Sequence, residues 1–447
     1  MLEFLKKQIN NKRIVILGFG LEGQSSLKYL AANGFLQQII VADQNPDLAK
    51  HPLVQEYDLE VITGTEYLQK LSNNDFIIKS PGVPLVKNRP DLTSHSQTSL
   101  FLENYGSQII GITGTKGKST TSTMIFRILE EQNKECILVG NIGQPAFDLI
   151  HKISSKSIIV YELSAHQLQC VEMGPKMALL LNLMPEHLDY FKDENDYYEA
   201  KLNIFKNQAP PFFRFISEQT FKKYPSSFFS SIKKETEIIK DEIVFENQTL
   251  IRLKELKYLL GRHHLENIQG VLELVIFLEL DIPKACESLK NFHPLPHRQE
   301  FLGEKKGVRF INDSISTIPQ SAIHAINAIG ELDYLILGGL DRGIDYTSLA
   351  EYLGNQSFKK VYFLGKAGKS ILKELRENEI FMHFQFQWNE KLQDIREELL
   401  QIQTGTVLLS PAAASYDAFK NFEERGDYFR EIFNDLKSLL SGKPDLV

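Results

Sequence analysis

The sequence predicts an α/β protein of three successive domains, each built on a mostly parallel sheet. Three observations carry this expectation. Short β-branched runs alternate with helical stretches along the first hundred residues. At QIIGITGTKGKSTT a strand runs into a glycine loop and a helix. Near the C-terminus VRFIND, YLILGG, KKVYFLG and TVLLSP each lead into a helix-like segment. Such alternation marks βαβ units, whose crossover helices cover a parallel sheet. The length agrees, since 447 residues at roughly 150 per domain give about three.

KRIVILG is the first strand, followed by GFGLEG and a helical stretch that stops at Asn33-Gly34, because glycine accepts the left-handed conformation that ends helices. QQIIVAD is the second strand, and NDFIIKSPGVP the third, closed by a Pro/Gly turn. In the second section SIIVYELS and KMALLLNLMP are continuous apolar runs, as expected of strands buried on both faces. From Pro210 to about Tyr258 the chain is rich in Phe and Lys with weak periodicity, and is assigned to that domain's periphery. GRHHLENIQGVLELVIF begins a long helix. The most apolar stretch, from Val271, is interrupted by Glu273 and Glu279, so it is expected as a buried helix and not a membrane span. HPLPHR is a linker, with Pro294 and Pro296 discouraging helix. The expected domains are 1–104, 105–297 and 298–447.

With 43% hydrophobic and 24% charged residues, the composition excludes a disordered, collagen-like or membrane-embedded chain. There are 50 basic and 57 acidic residues, a net charge of −7, which argues against nucleic acid as the main partner. Cys136, Cys170 and Cys286 are far apart and form no CxxC pair, so neither a disulfide framework nor a thiolate zinc site is expected. The N-terminus lacks the pattern of a secretory signal. Together these favour a cytoplasmic enzyme with no membrane partner.

GITGTKGKSTT, Gly111 to Thr121, carries the strongest chemistry. A strand, a glycine turn and a helix N-terminus aim successive backbone N–H groups of Gly114, Thr115, Lys116 and Gly117 at an anion. Lys118 is expected to reach the terminal phosphates, and Ser119 or Thr120 to offer a hydroxyl to Mg²⁺. The strict phosphate-loop spacing is not met, since Ile112 stands where glycine is usual. A mere packing turn is the bland alternative, and Gly-Lys-Ser-Thr at a strand–helix junction weighs against it. GFGLEG (Gly18, Gly20, Gly23), with Asp43 twenty residues beyond, fits a dinucleotide fingerprint. It fits equally a tight βα turn, or a diphosphate site for another nucleotide. An NAD-dependent dehydrogenase is therefore one reading, though it needs no ATP loop. Glu162 ends one strand and His187 follows NLMPEH, and both would sit where parallel sheets gather ligands. Mg²⁺ prefers oxygen, so His187 is the less expected ligand and a capping role competes. Lys201, taken alone, is a surface or snorkelling lysine.

Taken together, these residues resemble the Mur ligase family of ATP-dependent amino-acid ligases. GITGTKGKST looks like the family's ATP loop, with Lys116 where asparagine is usual. GNIGQPA, ELSAHQL, NLMPEHLDYF, AKLNIF, GRHHLEN and PHRQE follow in the family's order across the whole chain. LLSPAAASYDAFKNFEERGDYF, supported by SPGVP, resembles the member that adds D-glutamate to UDP-N-acetylmuramoyl-L-alanine in peptidoglycan synthesis.

The resemblance implies a Rossmann-like first domain, a central P-loop-type ATPase domain and a C-terminal Rossmann-like domain. Gly18, Gly20, Gly23, Asp43, Ser80, Gly82 and Asn141 would bind the UDP substrate. Lys118 would bind ATP phosphates, with Asn267, Arg298 and Asp313 also contacting ATP. Ser119 or Thr120, Glu162 and His187 would surround two Mg²⁺ ions, with Lys201 carbamylated to join them. A carbamate is an oxygen anion that binds Mg²⁺, whereas an ammonium repels it. His187 would also aid positioning or proton transfer. Thr317, Arg342, Ser415, Tyr416 and Phe422 would form the glutamate pocket. The family's N-D-S-K-A-T-N stands here as NDSISTI, so Ile315 replaces a lysine and Ile318 an asparagine. Arg342 replaces a lysine and His264 an asparagine. A related class that adds L-glutamate also lacks the standard sequence here, and is the alternative. A nucleotide-switch protein and a folylpolyglutamate-type ligase are further alternatives. The expected partners are small molecules only, and the expected state is a monomer.

Overall fold

The first strand, Ile14–Leu17, is fully buried along its length, because helices cover both faces of the sheet it centres. A computed structural model describes residues 1–140, 144–186, 190–223, 232–259, 262–293, 295–305 and 307–438. Asn141, His187 and Pro294 lie outside these residues. The chain divides into two compact units, Met1–Arg252 with His263–Leu289, and Leu253–Arg262 with Lys290–Val447.

The first unit holds two parallel sheets. Four strands run in the order Glu60–Thr63, Ile39–Asp43, Ile14–Leu17, Phe76–Lys79, all paired in parallel. Five run in the order Cys136–Gly140, Ile158–Glu162, Ile109–Thr113, Met177–Leu180, Phe213–Ile216, again in parallel. The predicted strands KRIVILG, QQIIVAD, NDFIIK, SIIVYE and KMALL all fall on these. The phosphate-loop helix, Lys118–Glu131, buries Thr121, Met124, Ile125, Ile128 and Leu129, the three-and-four spacing of one helical face.

The long helix expected after GRHH is His263–Phe277. It packs closely on the five-stranded sheet: a Cβ at Gly270 would lie 2.7 Å from the Phe215 ring. Glu273, the charge that interrupts its apolar run, is buried and accepts hydrogen bonds from the backbone N–H groups of Glu235 (3.0 Å) and Thr236 (2.7 Å) and from the Thr236 hydroxyl (2.6 Å). It thereby anchors a three-stranded antiparallel sheet, Thr236–Ile239, Glu242–Phe245 and Gln248–Arg252. The sequence left this sheet unseen within the stretch from Pro210 to Tyr258. Its strands are short and expose much of both faces, so no long apolar run marks them.

The second unit is one six-stranded sheet in the order Glu300–Lys305, Val308–Asn312, Gly405–Leu409, Tyr334–Gly338, Lys360–Leu364, Gln385–Asn389. The first strand is antiparallel and the rest are parallel. Apolar clusters cover both faces, one including Ile311, Leu337 and Phe363, the other Phe310, Ile336 and Phe429. No described helix is long and apolar enough to cross a membrane.

Candidate active site

Strand Ile109–Thr113 delivers the chain into the glycine loop. Gly114 has φ +154° and Gly117 φ +83°, values open to glycine and costly for other residues. A Cβ at Gly117 would come within 2.7 Å of Asn267 Nδ2, so the loop and Asn267 are in close contact. The helix begins at Lys118 with Gly117 as its cap and no capping side chain. Its positive dipole end therefore faces the loop.

Asn182 holds the loop from the next strand end. Its backbone carbonyl accepts from Thr115 N–H (2.9 Å), its side-chain oxygen from Lys116 N–H (2.7 Å), and its side-chain N–H donates to the Lys116 carbonyl (2.9 Å). The Lys116 ammonium, which stands where the family has asparagine, pairs with Glu186 at 2.6 Å. Lys118 Nζ donates to the carbonyls of Gly114 and Thr115, both at 2.9 Å. Ser119 is buried at the first turn, and Glu162 is fully buried at the end of Ile158–Glu162.

Lys201 is no surface lysine. It is 1% exposed, lies in helix Glu194–Leu202, and donates to the Gly114 carbonyl at 2.8 Å. Its ammonium also stands 4.8 Å from the centre of the Tyr197 ring. Burial drives its pKa well below that of an ordinary lysine; the Lys118 charge adds to this, and Glu186 opposes it. Its environment therefore disfavours the ammonium.

A cavity of about 340 Å³ joins these groups. Lys118, Lys201, Tyr197 and Glu186 line one side, Ser164, Ala165 and His166 another, and Pro81 and Gly82 reach in from the first sheet. Three residues set the Pro81–Gly82 turn. The buried Lys79 ammonium donates to the carbonyls of Ser80 (3.2 Å), Pro81 (3.2 Å) and Val83 (3.1 Å). The Tyr190 hydroxyl lies 3.3 Å from the Pro81 carbonyl and 3.1 Å from that of Val83. Ser80 Oγ donates to the Gly18 carbonyl at 2.8 Å, tying this turn to the first glycine loop.

In that loop the three glycines differ. Gly18 has φ +87°, and a Cβ on it would meet Val83 at 2.7 Å. A Cβ on Gly23 would sit 2.2 Å from the Gly18 carbonyl oxygen, whereas one on Gly20 would meet nothing within 4 Å. Asp43 accepts from the N–H groups of Phe19 and Asn45, both at 2.9 Å, which locks the turn. Glu22 is half-buried and accepts from Gln167 at 2.7 Å; Gln167 completes a capping box with Ser164.

The remaining predicted residues belong to the second unit. Asp313 is buried, accepts from Ser410 Oγ at 2.7 Å and from Gln299 N–H at 3.1 Å, and burial pushes its pKa up to about 6. Arg298 is exposed. Thr317, Arg342, Ser415 and Tyr416 lie on the loops that follow three adjacent strands, Val308–Asn312, Tyr334–Gly338 and Gly405–Leu409. Phe422 begins helix Phe422–Ser438, and its carbonyl accepts from Ser314 Oγ at 2.8 Å.

Sequence reasoning singled out neither Asn182, Glu186, Ser164 nor His166, although each sits inside a motif string it had used, NLMPEH or ELSAHQL. Among the described residues no group of three His, Cys, Asp or Glu side chains is placed to hold a metal. Ser119 and Glu162 still suit Mg²⁺, which is commonly held by one or two carboxylates together with substrate phosphates. The glycine cradle, the uncapped helix start and the lysines likewise fit a nucleoside triphosphate.

Parallel sheets with a lysine-lined phosphate loop at their strand ends define a nucleotide-binding α/β enzyme. The chain belongs to the Mur ligase family. Residues 112–275 match the Mur ligase middle domain, and residues 12–98 match the Mur ligase MurD-like N-terminal domain. The glycine loop thus belongs to a Mur ligase domain, and nothing supports the dehydrogenase alternative. Curated relatives span nearly the whole chain. The UDP-N-acetylmuramoylalanine--D-glutamate ligase of Alkaliphilus metalliredigens is 30% identical, covering 96% of this chain and 99% of its own. That of Acetivibrio thermocellus is 30% identical, covering 97% and 98%. Among solved structures, the UDP-N-acetylmuramate-alanine ligase MurC of Thermotoga maritima aligns with a TM-score of 0.54 at 17% identity, covering 96% of this chain and 100% of its own. The MurF ligase of Thermotoga maritima, in complex with ADP, aligns with a TM-score of 0.52 at 17% identity, covering 97% of each chain. These two share the fold.

Proposed function

We propose that this chain is an ATP-dependent ligase that joins D-glutamate to UDP-N-acetylmuramoyl-L-alanine, forming an amide, ADP and phosphate. One observation carries the reading: the Pro81–Gly82 turn of the first sheet lines the same cavity as Lys118, at the end of the phosphate loop, and Lys201. A substrate held by a nucleotide handle on the first sheet can there present its far end to ATP. Near-full-length similarity to the curated D-glutamate ligases supports the choice of substrate.

The alanine carboxylate attacks the γ-phosphate of ATP, and the amino group of glutamate then attacks the acyl phosphate. Lys118 sits to offset charge on the phosphoryl oxygens. The glycine loop and its helix start bind the phosphates, with Asn267 against the loop; Arg298 and Asp313 contribute from the second unit. Mg²⁺, held by Ser119 or Thr120 and Glu162, supplies further charge neutralisation when bound. His187 aids in positioning the incoming groups or in proton transfer.

Lys201 acts as a carbamate. An ammonium this close to Lys118 would oppose both the metal and the phosphates, whereas its buried, uncharged amine can take up CO₂ and become an oxygen ligand. Gly18, Gly20, Gly23, Asp43, Ser80, Gly82 and Asn141 serve the UDP substrate, within domain 1–104. Domain 105–297 serves ATP. Domain 298–447 serves glutamate, through Thr317, Arg342, Ser415, Tyr416 and Phe422. The enzyme works as a cytoplasmic monomer.

L-glutamate is the second reading, favoured by Ile315 and by Ile318, which is 42% exposed on the loop that carries Thr317. The test is phosphate release with UDP-N-acetylmuramoyl-L-alanine, ATP and Mg²⁺, run separately with each glutamate isomer. Release that needs all components and prefers D-glutamate supports the proposal. Preference for the L isomer selects the second reading, and no amino-acid dependence overturns both.

A further inference from the structure

Arg425 lies in helix Phe422–Ser438 and is 3% exposed. Its Nε donates to Ser314 Oγ at 3.0 Å. Nη1 donates to the carbonyls of Ala413 (3.1 Å) and Ala414 (3.2 Å), and Nη2 to those of Ser314 (2.8 Å) and Ala413 (3.1 Å). A guanidinium has five N–H groups, and these bonds engage all of them. The acceptors are neutral oxygens. Burial lowers the pKa to about 10, with Asp417 and Asp313 opposing the shift.

The acceptors sit on two adjacent strand ends. Ser314 follows Val308–Asn312, while Ala413 and Ala414 follow Gly405–Leu409. The loop after the third neighbour, Tyr334–Gly338, is joined to them by Leu340 N–H, which donates to the Ala414 carbonyl at 2.9 Å. Gly339 leaves room for this junction: a Cβ there would lie 2.4 Å from the Ala414 carbonyl oxygen and 3.2 Å from Arg425 Nη1. Ligands collect at the carboxyl ends of parallel strands, and these three loops carry the residues assigned above to glutamate.

We propose that Arg425 is the positioning residue of the amino-acid pocket: it fixes the spacing of the Ser314 and Ala413–Ser415 loops without touching the substrate itself. A buried cation bonded to the loops that carry the glutamate residues also favours a dicarboxylate over a neutral amino acid. The inference rests on the reading that this chain ligates glutamate.

Arg425→Lys tests it, because an ammonium keeps the charge but lacks the planar fork that spans two loops. Losing these charge-assisted bonds should raise the KM for glutamate roughly tenfold or more. The KM values for ATP and UDP-N-acetylmuramoyl-L-alanine should stay near those of the parent enzyme. Ser314→Ala, which deletes one acceptor and leaves Arg425 in place, should shift glutamate KM in the same direction by less. A folded Arg425→Lys enzyme with unchanged glutamate KM overturns the proposal. So does an unchanged value in Ser314→Ala if the lysine variant fails to fold. A parent enzyme indifferent to glutamate overturns the functional reading itself, and is seen before any variant is made.

Discussion

The Lys201 ammonium lies 2.8 Å from the carbonyl oxygen of Gly114, the same oxygen that Lys118 engages at 2.9 Å. Two lysine amino groups thus converge on one backbone dipole, and the fully buried one is held far below its ordinary pKa by burial first and the Lys118 charge second. Lys201→Met should keep the fold, since it removes a poorly solvated amine from an interior site. Turnover should fall by about 100-fold or more, the scale of losing an electrostatic element of an active site. Isotope-labelled bicarbonate should give a carbamate NMR signal in the parent protein and none in the variant. Normal turnover in Lys201→Met would sink the carbamate.

The first glycine loop separates packing from ligand approach. Gly23→Ala forces a Cβ to 2.2 Å from the Gly18 carbonyl oxygen, and overpacking of this kind costs about 1–3 kcal/mol. Gly20→Ala meets nothing within 4 Å and should melt like the parent. If diphosphate lies against the loop, it should nevertheless raise the KM for the UDP substrate. A melting comparison and substrate titration of the two variants check both halves.

Lys79 clamps the turn that lines the cavity. Lys79→Met leaves the carbonyls of Ser80, Pro81 and Val83 without its three bonds, while Tyr190 still reaches two of them. Leaving buried acceptors unpaired costs about 1–3 kcal/mol each, offset in part because a desolvated charge disappears. Denaturant unfolding should show a modest loss, and the KM for the UDP substrate should rise more than that for ATP.

Asp313 gives a pH signature. Burial lifts it to about 6, against hydrogen bonds from Ser316, Ser410 and Gln299. The folded chain therefore holds this proton where the unfolded chain has released it, so its contribution favours folding below pH about 4 and is lost as pH rises to about 6. Over that window the decline is on the order of 3 kcal/mol. Urea midpoints of Asp313→Asn should fall less steeply across the same range than those of the parent.

Much of this architecture was legible because chemistry and chain order coincide. The strand, glycine turn and helix around Lys118 are contiguous, and their motif needs no tertiary partner to be recognised. Glu162 is visible as the carboxylate that ends an apolar run. Lys201 was not visible: its burial depends on Gly114, 87 residues earlier, and its neighbours in DYYEAKL give no sign of it. Arg425 hides likewise in the charged run FEERGD, which resembles a solvated helix start. Edge strands such as Glu60–Thr63 and Gln385–Asn389 are half exposed, so they lack the unbroken apolar signature of the central strands.

The cavity wall built by Pro81 and Gly82 on one side and Lys118 on the other belongs to one compact unit. On the proposed function, a sugar nucleotide held at the first sheet would reach the phosphate loop only with a stem of matching length. Each added amino acid extends a stem by roughly 3.3–3.6 Å. On that reading the cavity would discriminate by reach, and UDP-muramoyl substrates with longer stems should be turned over more slowly than the one-residue stem.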